Sequence, residues 1–207
     1  QRLPSFLTSV GAQPLLAWSP NEDFLAIGGD NNTVQVYSYP ARQIVTTYNE
    51  HTDTITALAW SPDGTLLASG SRDTTTRLWE PHSGQTKLVY QGQSGKIASL
   101  DWSPDSTRLV STADDQTAKI WRVNTGTTLA TYHGPGGGPI GQASWSHDAQ
   151  TIAVYGGNAN IYLLDPQTGQ VRTSFASGVA YSLSWSPDDT RIVTGNYFNV
   201  AQVWRVG

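Results

Sequence analysis

Three residue types that cooperate in acyl transfer, His, Ser and Asp, occur close together in the chain as His51, Ser69 and Asp73. In a catalytic triad the Asp orients the His, and the His takes a proton from the Ser nucleophile beside an oxyanion hole. No Gly-x-Ser-x-Gly turn, which presents the nucleophile in one large class of hydrolases, surrounds Ser69. A triad hydrolase is therefore one hypothesis for this stretch, to be weighed against a structural role for the same side chains.

Metal chemistry has less support in the sequence. The four His residues show no His-x-x-x-His spacing, and the absence of Cys removes thiolate ligands and disulfides. The Ser-Pro-Asp turns at 61–63, 103–105 and 186–188 supply one or two carboxylates each, whereas Ca²⁺ takes about six to eight oxygen ligands. The sequence predicts no metal site and no cofactor.

The elements that carry these side chains are short. Residues 51–84 contain three apolar runs, at 55–60, 66–69 and 75–79, and each run ends in a cluster of Pro, Asp, Ser or Gly. Short β-branched or aromatic runs separated by such residues are typical of antiparallel strands joined by tight turns. Three strands cannot bury both of their faces, so this unit requires neighbours.

The neighbours are copies of the same unit. Five Trp residues are each followed by Ser and then Pro or His, at spacings of 42, 42, 43 and 40 residues. A large residue follows each Trp at a distance of nineteen residues. The Trp residues are Trp18, Trp60, Trp102, Trp145 and Trp185, and the large residues are Tyr37, Trp79, Trp121, Leu164 and Trp204. A fixed internal distance in five copies identifies a repeat protein.

This pattern resembles the WD-repeat (Trp-Asp repeat) β-propeller family over the whole chain. In that family each repeat runs from a loop His, through a turn of the Ser-Pro-Asp-Gly type, to a Ser or Thr, an Asp and a terminal Trp. The third repeat has Gln93 at the His position, and the first, fourth and fifth repeats depart further. The matching residues are His51, Ser69, Asp73 and Trp79 in the second repeat and Ser111, Asp115 and Trp121 in the third.

The resemblance implies a structural role for these residues. In the family they form a buried chain of hydrogen bonds that ties a loop to a strand, and each buried polar group left unpaired would cost about 1–3 kcal/mol. The third repeat keeps three of the four positions without a His, as a structural repeat can and a nucleophile system cannot. We therefore prefer the structural interpretation and predict that the protein has no catalytic residue.

The fold implied is all-β, a β-propeller of five four-stranded antiparallel blades that forms a single domain over residues 1–207. Each repeat supplies three strands and then a single strand, and residues 2–10 form one more strand-like segment before the first Trp. We predict that this N-terminal strand completes the C-terminal blade and so closes the ring. WD-repeat relatives most often close with about seven blades, so an open array, or several chains that share blades, stays an alternative to the closed monomer.

Partners of such propellers commonly bind the top face, where loops surround the central channel. Carried over by position, aromatic side chains fall on one blade, whereas charged side chains fall on other blades, and aromatic and Arg anchors are typical of binding hot spots. We predict that this face binds a protein or peptide through Asp30, Thr54, Arg72, Lys96, Asp114, Tyr181, Tyr197 and Phe198.

Three alternatives to a binding face stay open. The first is that the loops of a repeat protein vary in sequence without any function in binding. Asp30 and Asp114, at equivalent loop positions two blades apart, are the one carboxylate pair that a propeller glycosidase could use, because such enzymes need two carboxylates about 5–10 Å apart. The chain could also be an architectural array, natural or engineered, or a fragment, whose main property is blade assembly.

Composition limits the class of partner. The net charge is −4, and the twelve basic residues form no stripe, so we expect no nucleic-acid partner. No apolar stretch approaches the roughly 20 residues that a membrane span needs, and we expect no membrane partner and a cytoplasmic location. Met is absent even at position 1, so we expect the chain to be cut from a longer protein.

Overall fold

The computed structural model describes residues 10–11, 14–136, 138–156, 158–178, 180–196 and 200–206. These residues form nineteen short β-strands, and none of them forms a helix that could cross a membrane. In chain order the strands are β1 (Leu15–Trp18), β2 (Phe24–Gly28), β3 (Val34–Ser38), β4 (Gln43–Tyr48), β5 (Ile55–Trp60), β6 (Leu67–Ser71), β7 (Thr76–Trp79), β8 (Thr86–Tyr90), β9 (Ile97–Trp102), β10 (Arg108–Ala113), β11 (Thr117–Arg122), β12 (Thr128–His133), β13 (Ile140–Trp145), β14 (Ile152–Gly156), β15 (Asn160–Leu164), β16 (Val171–Ala176), β17 (Ala180–Trp185), β18 (Arg191–Asn196) and β19 (Ala201–Arg205).

The strands form five antiparallel sheets, which we call blades 1 to 5, and each strand pairs with its neighbours in sequence. Blades 1 to 4 have four strands each, in the order in which they occur in the chain, and blade 5 consists of β17, β18 and β19. The predicted all-β architecture of four-stranded antiparallel sheets is therefore confirmed for the first four repeats. The segment predicted to complete blade 5, residues 2–10, lies outside the described residues except for Val10.

The hydrophobic core lies between the blades. Side chains alternate across a strand, so the middle strands of each blade present two apolar faces. In blade 2, Leu67 and Trp79 pack in one cluster with Ala26 and Val36 of blade 1. The next residue, Ala68, points the other way and packs in a cluster with blade 3. Each blade is therefore stabilised by its neighbours rather than by its own interior.

The first strand of each blade lines the central cavity and is called the innermost strand. The Trp at its end ties its blade to the preceding one. Trp60 Nε1 donates a hydrogen bond of 2.9 Å to the carbonyl oxygen of Ala17, the residue before the preceding repeat's Trp. Trp145 departs from this rule, because its Nε1 is buried without a hydrogen-bond partner among the described residues. The equivalent bonds join Trp102 to Ala59 at 3.0 Å and Trp185 to Ser144 at 3.1 Å.

The turn after each of these Trp residues is built in the same way in every repeat. Ser61 Oγ donates to Asp63 Oδ1 at 2.6 Å and accepts from the Leu66 N–H at 2.9 Å. The fourth residue after the Trp has left-handed backbone, which Gly64 adopts at a φ of 72°. The other four repeats place a side chain there, at Glu22, Ser106, Ala149 and Asp189, with φ between 53° and 61°. The Asp residues of these turns serve as local hydrogen-bond acceptors.

The blades follow one another around an axis in chain order. The five innermost strands line a single cavity of about 460 Å³. In the described part of the chain, the strands of blade 1 make no extensive contact with those of blade 5, and Trp18 of blade 1 is 54% exposed. The predicted closure of the ring is thus not seen in the described residues, which form an open array.

Candidate partner-binding face

The predicted top-face residues of blades 1 to 3 lie in loops on the same face of the array. Within a blade, the start of the innermost strand lies beside the end of the second strand, because the two are antiparallel; Ile55 pairs with Ser71, for example. The loops are joined there by matching backbone bonds. The Arg72 N–H donates to the Thr54 carbonyl at 2.9 Å, and the Asp114 N–H donates to the Lys96 carbonyl at 3.0 Å.

Four of these side chains line one open cleft of about 540 Å³. Asp30, Thr54, Arg72 and Lys96 supply its charged and polar side chains, and Leu15 and Ala98 are half-buried apolar residues of its lining. Asp30 and Arg72 are exposed, whereas Thr54 and Lys96 are half-buried. The structure therefore brings together residues from three blades that are up to sixty-six positions apart in the sequence.

Of the two basic side chains that line the cleft, Lys96 forms an ion pair and Arg72 forms none among the described residues. Lys96 Nζ lies 3.4 Å from Asp114 Oδ2, and Asp114 is exposed. Within the described residues, the Arg72 guanidinium takes part in no ion pair. Asp114 itself does not line the cleft. An exposed guanidinium without an ion-pair partner can bind a carboxylate in a bidentate fork.

The aromatic side chains of the predicted face lie outside the part of the chain that the structure describes. Tyr197 and Phe198 lie outside the described residues, and Tyr181 is placed only by its backbone, in β17. These three residues remain predictions. The part of the site that the structure describes is the charged cleft of blades 1 to 3.

The predicted hydrogen-bonding residues of the second repeat meet in a buried chain. Trp79 Nε1 donates to Ser69 Oγ at 3.2 Å, and Ser69 Oγ lies 2.8 Å from His51 Nε2. His51 Nδ1 lies 2.7 Å from Asp73 Oδ2, which also accepts the Thr52 N–H at 3.1 Å. The loop before β5 is thus fixed to the middle strands of its own blade.

Burial determines the charge state of this chain of hydrogen bonds. Burial lowers the pKa of His51, and the neighbouring Asp73 only partly opposes that effect. Burial also acts to raise the pKa of Asp73, but hydrogen bonds from Thr75 and His51 outweigh it, so the Asp73 pKa is lowered. The pair therefore consists of a neutral imidazole and a carboxylate near neutral pH.

The same geometry gives a nucleophile no access to substrate. The Ser69 residue and the His51 side chain are both 0% exposed. Ser69 Oγ already accepts the Trp79 indole N–H, and the residue lies inside the interface between blades. What the arrangement can do chemically is hold a loop on a strand.

The third repeat shows how the chain of hydrogen bonds changes when its His is replaced. Trp121 Nε1 donates to Ser111 Oγ at 3.1 Å, as in the second repeat. Gln93 instead donates from Nε2 to the Ser111 carbonyl at 3.2 Å, and its Oε1 is buried without a partner among the described residues. Asp115 accepts the Ser94 N–H at 2.8 Å. The loop is therefore still fixed, through its backbone rather than through an imidazole.

Sequence reasoning missed one recurring participant in these loops, a Thr hydroxyl. Thr75 Oγ1 donates to Asp73 Oδ1 at 2.7 Å, and Thr117 Oγ1 makes the same 2.7 Å bond to Asp115. The signal was present, since Thr stands two residues after the Asp in both repeats and two residues after Asn31 in the first. In the part of the chain that the structure describes, no three His, Cys, Asp or Glu side chains come together as a possible metal site.

Four-stranded blades of this kind are characteristic of a WD-repeat β-propeller, with Trp bonds between blades at Trp60, Trp102 and Trp185 and a buried chain of His, Ser, Asp and Trp in the second repeat. The chain belongs to the family of the IFT122 first β-propeller, whose family model matches residues 15–207. Among solved structures, the computationally designed Ika8 protein is similar, with a TM-score of 0.79 and 24% identity over 92% of this chain and 57% of that one. At this identity the likeness shows the fold alone. No curated protein matches the chain.

Proposed function

We propose that this protein is a non-catalytic scaffold that binds a protein or peptide on the top face of its blades. The observation that carries the proposal is the single cleft that Asp30, Thr54, Arg72 and Lys96 line together. Membership of a WD-repeat family supports a scaffold function. The complete burial of Ser69 supports the absence of a hydrolase triad.

The chemistry of the cleft favours a peptide segment that carries a carboxylate. Arg72 has no ion-pair partner among the described residues, whereas Lys96 forms an ion pair with Asp114 at 3.4 Å. Leu15 and Ala98, both half-buried, also line the cleft and can contact an aliphatic or aromatic side chain of the same segment. We keep Tyr181, Tyr197 and Phe198 in the proposal as aromatic anchors of the same face. The chain's net charge of −4 argues against a nucleic-acid partner.

The proposal is tested by selecting peptides from a displayed random library on the wild-type chain and titrating them against variants. We expect Arg72→Glu to weaken the selected peptides by about tenfold or more, because a central Arg is a typical hot spot. Arg122→Glu, a matched change at an exposed Arg on blade 3 outside the cleft, should leave binding unchanged. Equal losses in both variants, with unchanged melting, would place the binding surface elsewhere.

A further inference from the structure

Asp101 is a charged residue at a position where the other repeats have small side chains. It stands immediately before Trp102 near the end of β9, and its equivalents in the other blades are Ala17, Ala59, Ser144 and Ser184. Among the described residues the Asp101 carboxylate takes part in no ion pair. Its Oδ2 accepts the Trp145 N–H at 2.7 Å. The carboxylate is therefore hydrogen-bonded but not paired with a cation.

The local structure around Asp101 opposes folding in two ways. Burial raises the pKa of Asp101 to about 6, because a carboxylate held away from bulk water without a cation is unfavourable. The Trp145 indole N–H also has no partner among the described residues, whereas the equivalent indoles of blades 2, 3 and 5 donate to the preceding blade. Departures from the local pattern that cost stability are typical of functional sites.

Asp101 lines a cavity of about 370 Å³ on the face opposite the top-face cleft, which we call the lower cavity. The two sites lie at opposite ends of the innermost strands, since Ile97 at the start of β9 lines the cleft and Trp102 at its end lines the lower cavity. Asp101 itself is half-buried, so a ligand in this cavity can reach its carboxylate. The exposed residues of the lining come one from each of blades 2 to 5, and they are Pro62, Pro104, His147 and Ser184.

The surroundings of the lower cavity favour a cation. Asp63, Asp105 and Asp148 are exposed in the turns that follow the innermost strands of blades 2, 3 and 4. None of the described residues that line the cavity is a Lys or an Arg. His147 is the one basic side chain in that lining, and its Nδ1 lies 2.7 Å from Asp189 Oδ1. Acidic turns around a cleft attract ligands of opposite charge.

We propose that the lower cavity binds the side chain of a Lys residue of a partner polypeptide, with the ammonium on Asp101 and the aliphatic stem along Pro62 and Pro104. An ammonium suits this carboxylate because Oδ2 already accepts the Trp145 N–H, whereas a guanidinium fork uses both carboxylate oxygens. The long Lys stem lets the charge enter the cavity while the partner's backbone stays outside, against the exposed prolines and acidic turns. The proposal does not rest on the top-face cleft.

The test titrates blocked pentapeptides of sequence Gly-Gly-Lys-Gly-Gly into the ¹⁵N-labelled wild-type chain and follows the amide signals by NMR. At pH 8, above the Asp101 pKa of about 6, the carboxylate is ionised. We expect a saturable shift of the Trp145 amide, which is hydrogen-bonded to Asp101. A peptide with norleucine in place of Lys keeps the stem and lacks the charge, and it should bind about tenfold more weakly or less.

Asp101→Asn keeps an acceptor for the Trp145 N–H and removes the charge, so it should weaken the Lys peptide by about tenfold or more. Asp23→Asn is the matched control, because Asp23 is exposed in the turn of blade 1 and does not line the lower cavity. This variant should bind like the wild type. Arg72→Glu, on the opposite face, should also bind the Lys peptide normally, so failure of the top-face proposal does not affect this test.

Three results would overturn the proposal. The first is equal binding of the Lys and norleucine peptides by the wild type, or unchanged binding by an Asp101→Asn variant that thermal melting shows to be folded. The second is an Arg peptide that binds as tightly as the Lys peptide, which would exclude the ammonium. The third is binding of n-butylamine without binding of the Lys peptide, which would exclude a polypeptide source. The comparison of peptides on the wild type holds even if Asp101→Asn does not fold.

Discussion

His51 uses both of its ring nitrogens inside the protein, Nδ1 toward Asp73 and Nε2 toward Ser69. The chain of bonds is consistent from end to end if Nδ1 carries the proton. The Trp79 indole then donates to Ser69, the Ser69 hydroxyl donates to His51, and the imidazole donates to Asp73. At the scale of single residues, the side chains that suggested catalysis thus satisfy one another's polar atoms.

Replacing His51 with Ala should lower the free energy of unfolding by about 1–3 kcal/mol, because Ser69 and Asp73 would each lose a buried partner. Urea unfolding measures this difference. His133→Ala, at an exposed His at the end of β12, is the control and should have little effect. The hydrolase hypothesis would be supported instead if the wild type cleaved p-nitrophenyl esters and both His51→Ala and Ser69→Ala lost this activity while their stability stayed unchanged.

Asp101 lies between blades 3 and 4, where its carboxylate accepts the Trp145 N–H at 2.7 Å. Burial raises the pKa of Asp101 to about 6, against the opposing effect of that hydrogen bond. Between the unfolded pKa of 3.8 and about 6, the folded state binds more protons than the unfolded state. This residue's contribution to stability is therefore full below the unfolded pKa and is lost as the pH rises through the folded one.

Replacing Asp101 with Asn should remove that pH dependence while keeping an acceptor for Trp145. We expect the stability of Asp101→Asn relative to the wild type to be higher at pH 7.5 than at pH 4, as measured by urea unfolding at both values. The lowered pKa of His51 acts in the opposite direction, but it is present in both proteins and cancels in the comparison. A relative stability that does not change with pH would show that Asp101 titrates normally.

At the scale of the element, the turn after each innermost strand shows how one structure tolerates different sequences. Ser and Asp fix the turn by side-chain bonds, as Ser61 and Asp63 do at 2.6 Å. The left-handed residue is Gly64 in blade 2 and Ala149 in blade 4. A methyl group at Gly64 would meet nothing closer than Pro20 at 3.9 Å, so only the backbone conformation opposes it.

Gly64→Ala should therefore lower the free energy of unfolding by about 1 kcal/mol, because an L-residue is strained at this φ. Ala149→Gly is the reverse change at the equivalent position and should raise stability by a similar or smaller amount. Thermal melts of the two single variants check both signs. Two changes of the same sign would mean that contacts, and not backbone strain, decide stability at this position.

At the scale of the whole molecule, stability should fall toward the ends of the array. Blade 2 is packed against a neighbour on both faces, whereas Val193 and Val203 of blade 5 are 40% and 66% exposed. Repeat arrays are stabilised mainly by contacts between neighbours. In dilute solution, we expect amide hydrogens of β18 and β19 to exchange with solvent faster than those of β6 and β7. Equal protection in blades 2 and 5 would contradict an open array.

The sequence by itself determined the strands, the turns and the repeat. Each follows from local chemistry: the Ser, Pro, Asp and Gly of the turns, the near-continuous apolar runs of strands buried on both faces, and a Trp such as Trp60 at a fixed distance from the next large residue, Trp79. The residues of the second-repeat chain of hydrogen bonds could be named for the same reason. Their types recur at fixed offsets within one blade, and a blade is a local unit of the chain.

The tertiary structure alone decided how the blades stand relative to one another. It placed Asp30, Arg72 and Lys96 around one cleft and left Trp18 and Val203 exposed. It also showed that Gln93, at the His position of the third repeat, donates to the carbonyl of Ser111. These features depend on the rotation between neighbouring blades, which is set by side-chain packing at each interface and accumulates over the array. Five repeats of one pattern are compatible with a closed ring or an open arc, and only the summed rotation distinguishes the two.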